Sequence, residues 1–451
     1  MTGVQTCALP ISYRNYYIWR DEKNNWQSKF GGSAWKYDEK TEQYYLHLFD
    51  ETQADLNWEN EKLREEVYDM MRFWLDKGVT GFRLDVINLI SKDQCFLNDE
   101  GSTATSDGRK YYTDGPRVHE YLQEMNRNVF AGKDVITVGE MSSTTIDNCI
   151  KYSNPERNEL SMTFSFHHLK VDYPNGDKWT KADFDFIKLK EIMSSWQIEM
   201  QKGGGWNALF WCNHDQPRIV SRFGDDGKYR NESAKMLATA MHMLQGTPYI
   251  YQGEEIGMTN PKFESIEQYR DVESLNIYDI KLKEGLSKEE IIGILKQKSR
   301  DNSRTPMQWN EEMNSGFTTS TPWISAAENF KEINVEKALE DKESVFYHYK
   351  KLIELRKTYD VITEGEYAIL DKKAVEKYLS NGAQPSSRVA FILKKNGVKL
   401  PKWYKEPAAQ KATAKHADKL RKNQPKEEVP APEAPVEEAS AEEVPVADVQ
   451  E

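Results

Sequence analysis

The chain has 451 residues, of which 12% are aromatic and 30% charged, with a formal net charge of −12. That length admits one large barrel with a small extra domain, or two to three average domains. The acidic balance argues against nucleic acid or an anionic membrane as the main partner, and an anionic small molecule would need a local basic pocket. No run approaches the roughly 20 apolar residues of a membrane span. Cys7, Cys95, Cys149 and Cys212 show neither CxxC pairing nor metal-ligand spacing, and scattered free thiols suit a reducing cytoplasm.

In chain order, MTGVQTCALPI (1–11) resembles the translation of a sequencing-adapter oligonucleotide, so protein-like sequence is expected to begin near Ser12. Residues 12–58 are loop-rich and aromatic, punctuated by FGGSAW and YYLHLFD. The stretch 59–78 places Leu63, Val67, Met70, Met71, Trp74 and Leu75 at helical spacing, with Gly78 as the C-cap. VTGFRLDVI (79–87) follows as a short buried strand. The same helix-then-strand rhythm returns at VHEYLQEMNRNVF and DVITVGE, and again at SAKMLATAMHMLQ and TPYIYQGEE. Alternation of this kind predicts an α/β fold with a parallel sheet, and at this length a barrel. QKGGGW (201–206) lacks the phosphate-loop pattern and reads as a turn before a strand.

The C-terminal part changes character. EGEYAIL (364–370) reads as the first strand of a β-domain beginning in 361–370. Within 371–404, AVEKYLSNGAQPSSRVAFILKKNGV resembles the C-terminal part of bacterial ribosomal protein S16, which predicts a chimeric junction near Leu370–Asp371. From Lys405 onward there is no Phe, Trp or Tyr. Seven basic residues against two acids in 405–426 give way to nine acids in 427–451, the composition of a disordered tail.

Three carboxylates follow apolar runs: Asp85 in GFRLDV, Glu140 in ITVGE and Asp215 in CNHDQPR. In an α/β barrel the carboxyl ends of the strands gather the chemistry. Arg83 lies two residues before Asp85 and shares its strand face, so it can pair with Asp85 and keep it ionised. Glu140 ends an apolar strand, where a partly dry pocket suits a general acid. His214, beside Asp215, can hydrogen-bond sugar hydroxyls and orient a carboxylate. Any one of these, taken alone, reads equally as a structural ion pair or cap.

Taken together, GFRLDV, VGE and NHDQ in this order resemble the α-amylase superfamily of glycoside hydrolases. That resemblance implies a (β/α)8 TIM barrel, with Asp85 as nucleophile, Glu140 as acid/base and Asp215 as transition-state stabiliser. It implies that Arg83 and His214 support the subsite holding the cleaved glucose. It also implies a retaining mechanism with Asp85 and Glu140 about 5–5.5 Å apart. Over about residues 12–370 the chain resembles the oligo-1,6-glucosidase branch, and within it the phosphotrehalase family. YYTDGPRVHE, VGEMSSTT, TFSFHHLKVDYPNGDKW and GTPYIYQGEEIGMTNP carry the likeness, and Val86 fits the branch that cleaves linkages other than α-1,4. The implied substrate is a small phosphorylated disaccharide, trehalose 6-phosphate, and no cofactor or metal is expected. The implied layout is a small inserted domain remnant (12–58), a catalytic barrel of strands 4–8 with inserts (59–360) and a truncated β-domain. The first three strands would be missing and folding and activity impaired.

The segment 163–179 packs His167, His168, Lys170 and Lys178 into an otherwise acidic chain. A phosphate monoester carries about −1.5 to −2 charges at neutral pH and seeks several donors, so His167, Lys170 and Lys178 are expected to hold it; a solvated loop is the plain alternative. Arg300 and Arg304 in SRDNSRTPMQW either reach the sugar site or order that long insert. Competing functions are an oligo-1,6-glucosidase or dextran glucosidase acting on isomalto-oligosaccharides, a catalytically inactive binding relative, salt-sensitive RNA association through 371–451, and a non-catalytic chimeric fragment.

Overall fold

The computed structural model describes residues 11–100 and 106–405. The adapter-like segment and the charged tail therefore lie outside the described residues, apart from Ile11 and Lys405. The chain divides into two compact units, with the division after Ile369.

In the first unit, a small antiparallel sheet comes first: β1 (Trp19–Arg20), β2 (Trp35–Asp38) and β3 (Gln43–Leu46), in the order β1-β3-β2. Its core gathers Trp26, Trp35, Leu46, Leu48, Phe96 and Tyr112. Both indoles find acceptors, Trp26 Nε1 on the Leu97 carbonyl (2.9 Å) and Trp35 Nε1 on Asn24 Oδ1 (2.7 Å), so their burial leaves no stranded donor.

Helix α1 (Glu61–Asp76) starts where Asn60 accepts from the backbone N–H of Lys62 and Leu63, and Gly78 at φ +90° follows its end as expected. After it come β4 (Gly81–Leu84), α2 (Val118–Met125), β5 (Ile136–Glu140), α3 (Ile146–Ser153), β6 (Met162–Phe164), α4 (Phe186–Lys202), β7 (Ala208–Leu209), α5 (Arg230–His242) and β8 (Thr247–Pro248). Strand β4 pairs with β5, β5 with β6, and β7 with β8, all parallel, and a parallel bridge from Thr163 to Asn207 joins β6 to β7. Five parallel strands in chain order, with helices between them, form the barrel wall that the periodicity predicted. In QKGGGW the turn falls on Gly203 and Gly204, between α4, which ends at Lys202, and β7.

One core packs Tyr68, Met71, Val118, Tyr121, Leu122 and Met125 beside the first strands. A second packs Leu189, Trp211, Ala234, Leu237 and Met241 against Val345, Tyr349 and Leu352. An insert carries α6 (Val272–Lys283) and α7 (Lys288–Lys298) around Tyr269, Ile291 and Leu295, and α8 (Val345–Thr358) closes the unit.

In α1, Met70 and Trp74 are 50% and 47% exposed, because the buried face turns on Leu63, Tyr68 and Met71. Two expectations are corrected. GFRLD is not a buried strand: among the described residues β4 pairs with β5 alone, and Gly81, Arg83 and Asp85 face solvent. EGEYAIL forms no strand, since no described segment pairs with it and an extended chain needs a ladder partner.

The second unit, described from Leu370, holds α9 (Lys372–Ser380) and α10 (Ser387–Lys395), N-capped by Asp371 and Ser386. They share a small core of Leu379, Leu393 and Val398. Among the described residues no helix is long and apolar enough to cross a membrane. Cys95 is exposed, whereas Cys149 and Cys212 are buried and free.

Glu254, after β8, is buried with Tyr349 Oη donating to its Oε1 at 2.8 Å. Burial pushes its carboxyl up to about 7, against the pull of that hydrogen bond. A raised carboxyl means that the native state binds more protons than the unfolded chain between the ordinary glutamate pKa and about 7, so this group's contribution to stability falls as pH rises through that window. Relative to the parent, Glu254→Gln is expected to gain about 1–3 kcal/mol between pH 4.5 and 7.5. Urea midpoints measured across that range check it, and a constant difference refutes it.

Candidate active site

The backbone register sets the first two carboxylates. Gly81 pairs with Ile136 and Leu84 with Gly139, so the residue following Leu84, Asp85, comes level with Glu140 on the adjoining strand. Neighbouring strands lie about 4.8 Å apart. The Arg83 guanidinium joins the pair, Nη1 donating to Asp85 Oδ1 and Nη2 contacting Glu140 Oε2. The contact with Asp85 was expected and the contact with Glu140 was not. Glu140 is buried at 8% exposure, in the partly dry setting expected of it, whereas the Asp85 side chain is 72% exposed.

The turn after Asp85 is unusual. Val86 sits at φ +36°, in the left-handed region that a β-branched residue rarely enters, at a cost of about 1–3 kcal/mol. Asn88, fully buried just beyond it, offsets that strain. Its amide donates to the Ser142 carbonyl (2.8 Å) and to Asp114 Oδ1 (3.0 Å), and its oxygen accepts from the Ser142 N–H (2.9 Å). Asp114 also accepts from Thr144, Asn148 and Tyr152. The loops that follow β4 and β5 are thus fastened to each other immediately beyond the two carboxylates.

Asp215 lies in the loop after β7. Its Oδ1 accepts from Arg304 Nη2 (2.6 Å) and Arg300 Nη1 (3.2 Å), and His214 Nε2 stands 3.3 Å from its Oδ2. Arg304 Nε also holds the His214 carbonyl at 2.7 Å. Both arginines are anchored behind by buried Asp271, which accepts from Arg300 Nε at 2.9 Å. Burial alone would raise the Asp271 carboxyl; the Arg300 guanidinium, with Arg304, overrides it and leaves it below the usual range. The insert therefore reaches the site and orders Asp215. Of the two arginines only Arg304 was expected as a substrate-binding residue, and Arg300 is as much a part of this network.

A cavity of about 260 Å³ opens beside these groups, lined among others by Glu140, Asp215, Lys170, Lys178, Glu273 and Arg300. Of the predicted phosphate ligands, Lys170 and Lys178 reach it. Lys178 Nζ is engaged by Glu273 Oε2 at 2.7 Å and lies over the Trp179 ring. The Lys170 ammonium is lowered from its ordinary value by burial and by the Arg109 charge. His167 does not line the cavity: its ring packs 5.3 Å from Trp196, with Nδ1 3.2 Å from Ser165 Oγ. Burial, with the Lys170 charge, pushes it down to about 4, so it is neutral at pH 7 and brings no charge to an anion. His168 is half-buried, its ring bonded to the Phe210 carbonyl at 2.8 Å. The loop carrying Lys170 is pinned by buried Asp172, which pairs with Arg222 and Lys298 at 2.8 Å each.

Sequence reasoning did not single out Asn88, Asp114, Asp271 or Glu273. Their partners lie 26 to 95 residues away, and no local pattern marks them. Among the described residues no group of three or more His, Cys, Asp or Glu is placed to hold a metal ion.

The family profile described as alpha amylase, catalytic domain, matches residues 6–365. The trehalose-6-phosphate hydrolase of Bacillus subtilis (strain 168) is 65% identical over 384 residues, covering 83% of this chain and 68% of that protein. An oligo-1,6-glucosidase of Parageobacillus thermoglucosidasius is 56% identical over 366 residues, covering 79% and 65%. The crystal structure of Bacillus licheniformis trehalose-6-phosphate hydrolase superposes with a TM-score of 0.75 at 68% identity, covering 79% of this chain and 65% of that one. The chain thus spans about two thirds of the length of the relatives it matches. The extent of the family match, and relatives this similar over about two thirds of their length, mean that the chain belongs to the α-amylase family.

Proposed function

We propose that this chain carries the catalytic machinery of a retaining α-glycosidase that splits trehalose 6-phosphate into glucose and glucose 6-phosphate. The observation that carries the reading is the level placement of Asp85 and Glu140 on adjoining parallel strands, beside a cavity with lysines in its wall. Similarity to the Bacillus subtilis hydrolase supports the substrate. Free thiols at Cys95, Cys149 and Cys212 support a reducing, cytoplasmic setting.

In the first step an Asp85 oxygen attacks the anomeric carbon as the bridging C–O bond breaks, and Glu140 passes its proton to the leaving oxygen of glucose 6-phosphate. Asp215, held by Arg300 and Arg304, stabilises the oxocarbenium-like transition state. Glu140, now a carboxylate, deprotonates a water that cleaves the glucosyl ester, releasing glucose with its α-configuration retained. His214 and Arg83 support the glucose-holding subsite, and Lys170 and Lys178 face the phosphate.

The competing reading is an oligo-1,6-glucosidase. It is favoured by the 56% identical relative and by the pairing of Lys178 with Glu273, which offsets one cation. The kcat/KM ratio for trehalose 6-phosphate over trehalose separates the two. We expect a ratio of about 100 or more, with a fall of about tenfold in Lys170→Gln; a ratio near one with rapid cleavage of isomaltose sinks the phosphate reading. Asp85→Ala is expected to lose at least about 10⁴-fold in turnover. Azide should restore part of it by forming β-glucosyl azide, whereas Asp215→Ala should not be rescued. Azide rescue of Asp215→Ala instead would reverse the two roles.

A further inference from the structure

The cavity beside the carboxylates has an uneven charge balance. Its wall holds three acids, and each is already matched: Glu140 by Arg83, Asp215 by Arg300 and Arg304, Glu273 by Lys178. Two ammonium groups remain in the same wall, Lys170 and Lys29. Among the described residues no carboxylate forms an ion pair with either. Asp107, the carboxylate that acts most on Lys29, is itself gripped by Arg109, with Nε at 2.9 Å and Nη2 at 2.6 Å. Desolvating two neighbouring cations without an anion is unfavourable. The strain shows in Lys29, which burial, then the Arg109 and Lys170 charges, push down to about 8, with Asp107 opposing.

Lys29 does not drift in this position. It belongs to the loop between β1 and β2, which is tied down on both sides. Its own N–H donates to the Leu48 carbonyl (2.7 Å), and buried Ser28 donates from Oγ to the Phe49 carbonyl (2.6 Å) and accepts from the Phe30 N–H (3.1 Å). The next residue, Phe30, lies under the Arg300 guanidinium at 5.0 Å, and its carbonyl accepts from Asn276. The small antiparallel domain thus presents one fixed ammonium to the cavity that also takes the one supplied by the loop after β6.

We infer that Lys29 and Lys170 together form the cradle for the substrate's phosphate, so that the small domain selects for phosphorylated sugars. Two ammonium groups without a carboxylate partner suit a monoester of about −1.5 to −2 charges. The inference rests on the phosphorylated-disaccharide reading and deepens it by naming Lys29, which lies outside the basic segment 163–179.

Calorimetric titration of the full chain with glucose 6-phosphate, glucose and inorganic phosphate tests it. The parent should bind glucose 6-phosphate at least about tenfold more tightly than glucose, and Lys29→Gln should abolish most of that difference while Lys29→Arg retains it. Inorganic phosphate should compete with glucose 6-phosphate in the parent and lose that competition in Lys29→Gln. A Lys29→Gln protein that keeps the parent's preference overturns the role of Lys29 and leaves the phosphorylated substrate standing. A parent without any preference overturns both. Thermal unfolding accompanies each variant. Should Lys29→Gln fail to fold, Lys170→Gln replaces it: loss of the preference supports the cradle, and a preference kept at the parent's level overturns it.

Discussion

The parallel ladder between β4 and β5 is the constraint on which the site depends. Four backbone pairs fix the register from Gly81–Ile136 to Leu84–Gly139, and the next residue on each side is a carboxylate, Asp85 in the turn after β4 and Glu140 at the end of β5. Because side chains on a strand alternate at a period of two, a slip of one residue would turn Asp85 or Glu140 to the opposite face. Arg83, two residues before Asp85, lies on the shared face and spans both carboxylates. The strained Val86 and the Asn88–Ser142–Asp114 clip are what allow two different loops to leave the strands without disturbing that register.

Charge is organised outward from that pair in matched layers. Asp215 draws on two arginines of the insert, these draw on Asp271, and Arg300 also meets Glu273 and through it Lys178. A buried carboxylate without such partners would take up a proton rather than remain charged. The two arginines hold the Asp271 carboxyl below its usual range, and each ion of the network is held in place by the next. The pairing of Lys178 within that chain is why the second unmatched cation beside Lys170 comes from the small domain.

Exposure follows the same sheet. Strand β4 has one neighbour in the described sheet, so its Gly81, Arg83 and Asp85 face outward, and the flank of α1 beside it leaves Met70, Phe73 and Trp74 uncovered. The apolar spacing of α1 is helical, as the sequence indicated, but which of its apolar side chains are buried is set by what packs against it, and periodicity alone cannot supply that.

Local sequence by itself determined the helix-strand alternation, the glycine stop after α1, and the two carboxylates Asp85 and Glu140 at the ends of β4 and β5. Each depends on contacts within a few residues: caps, periodicity, and a polar side chain closing an apolar run. The pairing of Arg83 with Asp85 was legible for the same reason. Tertiary structure decided what those local signals cannot encode. Arg300 and Arg304 meet Asp215 across 85 and 89 residues, and Glu273 neutralises Lys178 across 95. His167 looked like a phosphate ligand because it stands in a basic loop, and became a neutral ring against Trp196 because the fold dried its surroundings. Lys29 carried no signal in its Gly-rich turn. Only the docking of the loop between β1 and β2 beside Arg300 brings its charge into the wall of the active-site cavity, since electrostatic partnership is decided by distance in space and not by position along the chain.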